Sequence, residues 1–278
     1  AGPTGLFAGF EAGLLKIKCH IIDALPQPGG QLAELYPKKT IFDIPGYPSV
    51  LAGELVDNLM EQIKQFEPGF TLAETATTLN KLEDGTFEVI TNKGTVHRAK
   101  AVAIAGGLGT FEPRKPLIDN IADYEEKGVE YFVKNPEHFR DKNIVIAGGG
   151  DSALDWSIFL SNVAKSVTLI HRRNEFRGAL DSVEKVQELK NAGKINLITP
   201  AEVIGLKGDG HIEAITVDKE GEVYDLATDY FIPLFGLTPK LGDIANWGLE
   251  IEKNAIVVNN ALDYQTNIEG VYAIGDVN

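Results

Sequence analysis

Two glycine-rich turns, each followed by charge of the opposite sign, are the parts of this chain best suited to chemistry. The first is Ala1-Gly2-Pro3-Thr4-Gly5, and the apolar run after its helix ends at Asp23. The second is Gly148-Gly149-Gly150, and the next apolar run, 166–171, is followed by Arg172-Arg173. Glycines let the backbone approach a pyrophosphate, and the start of a helix favours its negative charge. An acidic residue after the second strand of such a unit holds a ribose diol, whereas basic residues there suit a 2′-phosphate. The spacing therefore predicts two different nucleotides.

The second turn is the more specific of the two signals. A buried strand pattern at 143–147 precedes the glycines, and Asp151-Ser152 begins the helix that follows them. Arg172-Arg173, with Arg177 as a third candidate, could fork onto a 2′-phosphate, each contact contributing about 1.5–3 kcal/mol. We therefore expect a nucleotide like FAD at the first turn and one like NADPH at the second. The competing interpretations are an ordinary tight turn at the first and a solvated basic surface at the second.

A third cluster could hold a flat polar ring. Gln31 follows the flexible pair Gly29-Gly30, so its amide can reach the edge of such a ring, and Tyr36 could stack on the ring face. Asp276, after Gly275 at the end of a strand pattern, could accept hydrogen bonds from a ribityl chain. The competing interpretations are a half-buried surface tyrosine and a turn aspartate.

Composition excludes several classes of function. The net charge of −14 argues against general nucleic-acid binding, and a single cysteine, Cys19, rules out an intrachain disulfide and a Cys-rich metal site. The five histidines show no metal-ligand spacing, so we expect no metal. No apolar run reaches the roughly 18 residues that span a bilayer, and no signal peptide is visible. We therefore expect a cytoplasmic protein without a membrane partner.

The order of the elements predicts an internal duplication of one nucleotide-binding plan. Each glycine turn leads into a helix (3–12 and 151–163) and a strand (17–23 and 166–171), then a hairpin-rich stretch and a buried run that ends at glycine. The second copy has a further predicted helix at 179–192, and the tail has a predicted strand at 256–258. The tail fits neither copy alone, so we expect one domain inserted into the other. The fold class is then α/β, with two Rossmann-like three-layer (ββα) dinucleotide-binding domains. The FAD domain would comprise 1–113 and 236–278, and the NADPH domain 114–235.

Two sets of motifs extend over nearly the whole chain. The first set is Gly2-Pro3-Thr4-Gly5, Gly29-Gly30-Gln31-Leu32, Ile44-Pro45-Gly46, Gly148-Gly149-Gly150-Asp151-Ser152-Ala153, His171-Arg172-Arg173 and Gly275-Asp276. The second set is Leu35-Tyr36-Pro37, Phe111-Glu112-Pro113-Arg114-Lys115, Gly150-Asp151-Ser152-Ala153-Leu154-Asp155-Trp156 and Asn246-Trp247-Gly248-Leu249. The first set resembles the thioredoxin-reductase-type flavoproteins. Within that group, the second resembles the ferredoxin–NADP reductases of thioredoxin-reductase type.

The resemblance implies further site residues and an assembly. It implies FAD contacts at Asp23, Gln31, Tyr36, Phe111 and Asp276, with Tyr36 stacked on the isoalloxazine, and a backbone contact near Ala76. It places NADPH at the second turn and the segment that begins at His171. It also implies a homodimer and an NADPH domain that can rotate relative to the FAD domain.

The chain departs from the resemblance in two respects. Thioredoxin reductases carry Cys-x-x-Cys just before the second glycine turn, whereas this chain has no cysteine in the stretch 130–136. Electrons would therefore have to leave from the flavin itself. The chain also begins at the first turn and stops at Asn278, so we expect both ends of the FAD domain to be truncated.

The main functional hypothesis is an FAD-dependent ferredoxin or flavodoxin–NADP oxidoreductase. NADPH would give a hydride to the flavin, which would then pass single electrons to the protein acceptor, with no catalytic side chain required. Lys38-Lys39 and Arg114-Lys115 are candidate docking residues for an acidic partner, or ordinary solvated surface. Two alternatives remain: an NADPH oxidase or disulfide-independent reductase of quinones and other small acceptors, and a non-catalytic NADP(H)-binding fragment.

Overall fold

The structure is a computed structural model that describes residues 1–109, 112–238, 240–259 and 263–278. It divides into two compact units. The first unit comprises Ala1–Glu112 and Thr238–Asn278, and the second, Pro113–Leu237, is inserted in the chain of the first. These boundaries lie close to the predicted ones, and the cofactor of each unit remains a prediction.

The described residues form six α-helices and twenty short strands. The helices are α1 (Pro3–Leu14), α2 (Gln31–Glu34), α3 (Ala52–Lys64), α4 (Ile121–Tyr124), α5 (Asp151–Leu160) and α6 (Leu180–Asn191), with 3-10 helices at Pro136–Phe139 and Gly242–Asn246. Strands β1 to β10 are His20–Asp23, Thr40–Ile41, Val50–Leu51, Gly69–Leu72, Ala76–Lys81, Phe87–Thr91, Val96–Ala99, Val102–Ile104, Glu112–Pro113 and Asn143–Ala147. Strands β11 to β20 are Ser166–Ile170, Asn196–Ile198, Glu202–Lys207, Ala214–Lys219, Glu222–Ala227, Tyr230–Pro233, Leu237–Thr238, Ile251–Glu252, Ala255–Ile256 and Val271–Ala273. In the described part of the chain, each helix is too short or too polar to cross a bilayer.

The first unit is built from several small sheets and two longer helices. β1 pairs in parallel with β4, β8 pairs in parallel with β20, and β5, β6 and β7 form an antiparallel meander. Helix α1 packs on α3, and Leu6, Ile21 and Ile63 form a buried cluster between these helices and β1. Gly13 permits this close packing, because a Cβ built there would lie 2.2 Å from Cγ of Phe66.

The second unit contains a four-stranded parallel sheet in the order β12-β11-β10-β16. Helix α5 connects β10 to β11, and α6 connects β11 to β12, so the strands run outward from β10 before the chain returns to β16 on its other side. Four residues of β10 and four of β11 are buried, as expected for a parallel sheet covered on both faces. The order reverses between β10 and β16, and α/β folds place ligands at such a point.

An antiparallel sheet of β13, β14 and β15 occupies the return from β12 to β16. Ile215 and Val217 of β14 and Phe231 of β16 are fully buried in one core cluster with Val145 of β10 and Ile170 of β11. The meander therefore takes the place that a crossover helix would have, and packs on the parallel sheet.

The sequence predicted the main elements near both glycine turns, with small differences in their bounds. The predicted helices 3–12, 151–163 and 179–192 correspond to α1, α5 and α6, and the predicted strand 17–23 is shortened to β1. The predicted strand 256–258 is replaced by the two-residue β19. Helix α3 was not predicted, although four of its residues are buried and its polar residues face solvent.

Candidate nucleotide-binding sites

The first glycine turn lies at the start of α1 in the first unit. Gly2 precedes the helix and Pro3 opens it, so the N–H groups of Thr4 and Gly5 have no partner within the helix. Gly30 approaches this turn closely: it adopts a φ of +56°, and a Cβ built there would lie 3.0 Å from Cα of Gly2. Side chains at either glycine would fill the space through which a phosphate could reach the helix N-terminus.

Asp23 lies beside this turn at the end of β1. Its Oδ2 contacts the nitrogen of Ala1, and its Oδ1 accepts a hydrogen bond of 2.8 Å from the N–H of Leu25. The backbone carbonyl of Asp23 accepts a further bond from the N–H of Glu74, at 3.1 Å. The carboxylate is thus fixed next to the glycine turn, the position that binding a ribose diol requires.

The third predicted cluster lies around the same turn. The N–H of Gly29 donates to the Ala1 carbonyl at 2.8 Å, which brings α2 and Gln31 to the turn. A Cβ on Gly107 would lie 3.7 Å from Nε2 of Gln31, and one on Gly275 would lie 2.9 Å from Oγ1 of Thr4. The loop after β8 therefore approaches α2 at Gly107, and the loop after β20 approaches α1 at Gly275.

Tyr36 and Asp276 interact electrostatically. The tyrosine is half-buried, and burial followed by the negative charge of Asp276 raises the pKa of its hydroxyl. The Nζ atom of Lys39 lies 5.8 Å from the centre of the Tyr36 ring. The structure thus groups Tyr36 and Asp276 with the glycine turn.

Two further residues were named for FAD, Ala76 and Phe111. Ala76 begins β5 and pairs with Thr91 of β6. Among the described residues, Ala76 makes none of the contacts that group Tyr36 and Asp276 with the glycine turn. Phe111 lies outside the described residues.

The second glycine turn follows β10 in the second unit. Gly148 has a φ of +156°, and a Cβ there would lie 2.7 Å from the carbonyl oxygen of Leu234, which follows β16. Gly150 is different, because nothing in the protein lies within 4 Å of a Cβ built on it. The first glycine therefore makes the tight turn, and the third leaves open space at the N-terminus of α5, where Asp151 and Ser152 are exposed.

Gly149 serves a third purpose, which is to accommodate the ring of His171. A Cβ on Gly149 would lie 2.2 Å from Cε1 of that ring. The ring is buried, stacks on Phe176 with 5.1 Å between ring centres, and donates through Nε2 to the Glu175 carbonyl at 3.1 Å. His171 thus lies under the glycine turn and fixes the loop that follows it.

We call residues 172–177 the arginine loop. Two further bonds fasten it to the glycine turn: the N–H of Arg177 donates to the Gly149 carbonyl, and the N–H of Ala179 donates to Oδ1 of Asp151, each at 2.7 Å. Burial lowers the pKa of His171, and the positive charges of Arg172, Arg173 and Arg177 lower it further against the Glu175 hydrogen bond. The arginine loop therefore adds positive charge beside the ring of His171 and the glycine turn.

Two residues that support this loop, Phe176 and Gly178, were not predicted from the sequence. Phe176 stacks on His171, and a Cβ on Gly178 would lie 2.6 Å from Cδ1 of Leu154 and 3.1 Å from Oδ1 of Asp151. The sequence contains one usable signal, a glycine directly after Arg177. It could have indicated that the chain passes close to α5 there.

Comparison with known proteins agrees with this geometry. The family model described as Pyridine nucleotide-disulphide oxidoreductase matches residues 1–278. The chain belongs to this family.

Several curated relatives in the family cover the chain completely. A protein of Flavobacterium johnsoniae named Ferredoxin--NADP reductase is 76% identical over 278 residues, which are 100% of this chain and 79% of that protein. Ferredoxin--NADP reductase 1 of Christiangramia forsetii is 68% identical over 283 residues, with 100% and 80% covered.

Solved structures show the same two-domain α/β dinucleotide-binding fold. Thioredoxin reductase of Lactococcus lactis superposes with a TM-score of 0.85 at 27% identity, covering 100% of this chain and 88% of that one. Thioredoxin reductase of T. acidophilum gives a TM-score of 0.87 at 25% identity, with the same coverage. The predicted fold class and the predicted family resemblance are therefore confirmed.

The glycines of the second turn generate a testable difference. Gly149→Ala should lower the free energy of unfolding by about 1–3 kcal/mol, because the new methyl group overlaps the His171 ring. Gly150→Ala should leave stability within about 0.5 kcal/mol and still weaken binding of NADPH, because its methyl group enters open space that the cofactor would use. Denaturant unfolding and NADPH titration measure the two effects. Equal losses of stability in both variants would contradict this division of roles.

Proposed function

We propose that this chain is a ferredoxin–NADP reductase that binds FAD in the first unit and NADPH in the second. The observation that carries the proposal is the opposite charge beside the two glycine turns. A carboxylate, Asp23, is fixed beside the first, and the arginine loop is fastened to the second. Relatives that are 67–76% identical over the whole chain are named Ferredoxin--NADP reductase, which supports the proposed partner.

The residues of the first unit fit FAD. The helix N-terminus beside Gly2 and Gly30 would hold the pyrophosphate, and Asp23 would accept hydrogen bonds from the ribose of the adenosine half. Gln31 begins α2, while Tyr36 and Asp276 lie in the loops after α2 and β20. The amide of Gln31 and the aromatic ring of Tyr36 would orient the flavin. Asp276 is exposed, so its carboxylate can accept hydrogen bonds from a ribityl chain.

The residues of the second unit fit NADPH. Gly150 leaves room for backbone to reach a pyrophosphate at the start of α5, and Ser152 is exposed in the first turn of that helix. The arginine loop would hold the 2′-phosphate, and its exposed guanidinium groups are available to a ligand from solvent. The carboxylate of Asp151 helps to hold the arginine loop, because its Oδ1 accepts a hydrogen bond from the N–H of Ala179.

When bound, FAD supplies the redox chemistry, since it can take a hydride from NADPH and release electrons one at a time. The chain itself binds, orients and shields. Because Cys19 is its single cysteine, these residues contain no dithiol to carry electrons onward. Tyr36 would stack on the flavin and hold the ring in place.

Each candidate docking segment contains a lysine that lies over a tyrosine ring. Lys115 forms an ion pair of 2.6 Å with Glu125 and lies over the ring of Tyr131. Lys38 is exposed and Lys39 lies over Tyr36. The proposed dock for ferredoxin or flavodoxin comprises both segments, Lys38-Lys39 and Arg114-Lys115, which supply local positive charge for an acidic partner. We further propose a homodimer in the cytoplasm.

The activity is tested with the protein reconstituted with FAD. Anaerobic NADPH should bleach the visible flavin bands, and the reduced protein should then reduce ferredoxin faster than it reduces oxygen or a quinone. Faster turnover with oxygen or a quinone would favour a small-acceptor reductase. Retention of NADPH without FAD would favour a binding module instead.

Cofactor choice should depend on the arginine loop. Arg172→Ser and Arg173→Ser should each raise the KM for NADPH by about 10–100-fold, equivalent to about 1.5–3 kcal/mol, and leave the KM for NADH unchanged. The matched control is Arg140→Ser, which removes the same charge from an exposed ion pair with Glu137 in the same unit. Steady-state kinetics with both nucleotides measure the ratio. Parallel changes for NADH and NADPH would exclude a 2′-phosphate contact.

The aromatic face of Tyr36 should matter more than its hydroxyl. Tyr36→Ala should shift the visible spectrum of bound FAD and slow flavin reduction by NADPH, because the stacked ring is lost. Tyr36→Phe keeps the ring and should retain both properties. Stopped-flow absorbance measures the rate. A Tyr36→Ala protein with unchanged spectrum and kinetics would remove Tyr36 from the flavin site.

A further inference from the structure

Two histidines of the first unit meet at a place that the proposed function does not use. His20 begins β1, His97 lies on β7 of the antiparallel meander, and their ring centres are 4.5 Å apart with the planes tilted by 38°. Thr71 of β4 lies beside both. Its Oγ1 is 2.8 Å from Nε2 of His20 and 3.4 Å from Nε2 of His97. Two imidazole nitrogens from different sheets therefore face one point.

The hydroxyl of Thr71 can accept hydrogen bonds from the Nε2–H of one ring or of both rings, and it can donate its single proton to one Nε2. When it donates to one Nε2, the other Nε2 either donates to Oγ1 or keeps a lone pair directed at it. Displacing the hydroxyl, or adding a cation beside it, leaves two convergent imidazole donors. Imidazole nitrogen is the most common protein ligand of Zn²⁺ and Cu²⁺.

The surroundings hold His20 in position. The residue paired with it on β4 is Gly69, and a Cβ there would lie 2.3 Å from Nδ1 of His20. The ring therefore packs directly on the strand backbone, in space that the glycine leaves. Burial and then the charge of His97 lower the pKa of His20.

The nearby charge favours a cation. Glu74 accepts a hydrogen bond of 2.6 Å from Thr91, and its pKa is lowered by hydrogen bonds from Thr91 and Thr95 and then by the positive charges of Lys93 and His97. Its carboxylate thus interacts electrostatically with His97. Within the described residues, no group of three or more His, Cys, Asp and Glu side chains is arranged to hold a metal. The site has two protein ligands, and water would complete the coordination.

We propose that His20 and His97 bind one divalent transition-metal ion, such as Zn²⁺ or Cu²⁺, through their Nε2 atoms beside Thr71. The ion would cross-link β1 to the antiparallel meander. Because β1 ends at Asp23, the cross-link would fix the strand that carries the carboxylate of the first nucleotide site.

Calorimetric titration of the protein with ZnCl₂ tests the proposal, with Cu²⁺ as a spectroscopic probe. We expect one ion per chain, a melting temperature that rises with Zn²⁺, and nitrogen hyperfine coupling in the Cu²⁺ electron paramagnetic resonance spectrum. His20→Gln and His97→Gln should each weaken Zn²⁺ binding at least tenfold. Glutamine keeps a polar partner for Thr71, so both variants are expected to fold.

The matched control is His138→Gln in the second unit, where His138 pairs with Glu130 at 3.0 Å. It should leave the Zn²⁺ affinity unchanged. The proposal is overturned if the wild-type chain binds no Zn²⁺ at millimolar concentration. It is equally overturned if His20→Gln/His97→Gln binds as tightly as the wild type, because the ions would then occupy another site. These readouts are independent of flavin and NADPH, so they stand or fall separately from the proposed reductase activity.

Discussion

Both candidate nucleotide sites depend on the absence of a Cβ atom at a few glycines. At the second turn each of the three consecutive glycines has a different structural role. Gly148 passes against the Leu234 carbonyl, Gly149 admits the ring of His171, and Gly150 leaves open space at the start of α5. The arginine loop depends on the second of these contacts, because His171 anchors its first end while Arg177 and Ala179 fasten the other. Nucleotide selectivity would therefore depend on a buried ring contact as well as on the exposed charges.

The predictable part of the fold is the part whose sequence pattern is local. Strands β10 and β11 are continuous apolar runs because both faces of the parallel sheet are covered, and the glycines between β10 and α5 are visible directly. The strand order could not be read in the same way. It is fixed by which runs pair across the chain, and the return to β16 passes through a meander rather than a helix. Helix α3 was missed although its sequence carries the signal, because Ala52, Leu55, Val56, Leu59 and Ile63 recur at the spacing of one helix face.

The residues of the candidate sites also divide into those with a local sequence signal and those without one. Asp23 and Arg172-Arg173 were predicted because the acid or base directly follows a strand that comes after a glycine turn. Phe176 gave no signal of its own, since stacking on His171 requires the loop to fold back on itself. The pairing of His20 with His97 was invisible for another reason. Its members come from distant strands, and the residue that makes room for His20, Gly69, lies on a third.

The fold does not decide where the electrons go, because thioredoxin reductases share it while this chain has one cysteine. The stretch 130–136, where those enzymes carry their cysteine pair, is here a packed part of the second unit. Val133 is buried, and the Tyr131 hydroxyl donates to Glu125 at 2.7 Å beneath Lys115. Such a segment is fixed by its own core contacts rather than presented to a substrate. Because the stretch 130–136 contains no cysteine, it cannot act as a dithiol relay in this chain, whatever the fold it shares with those enzymes.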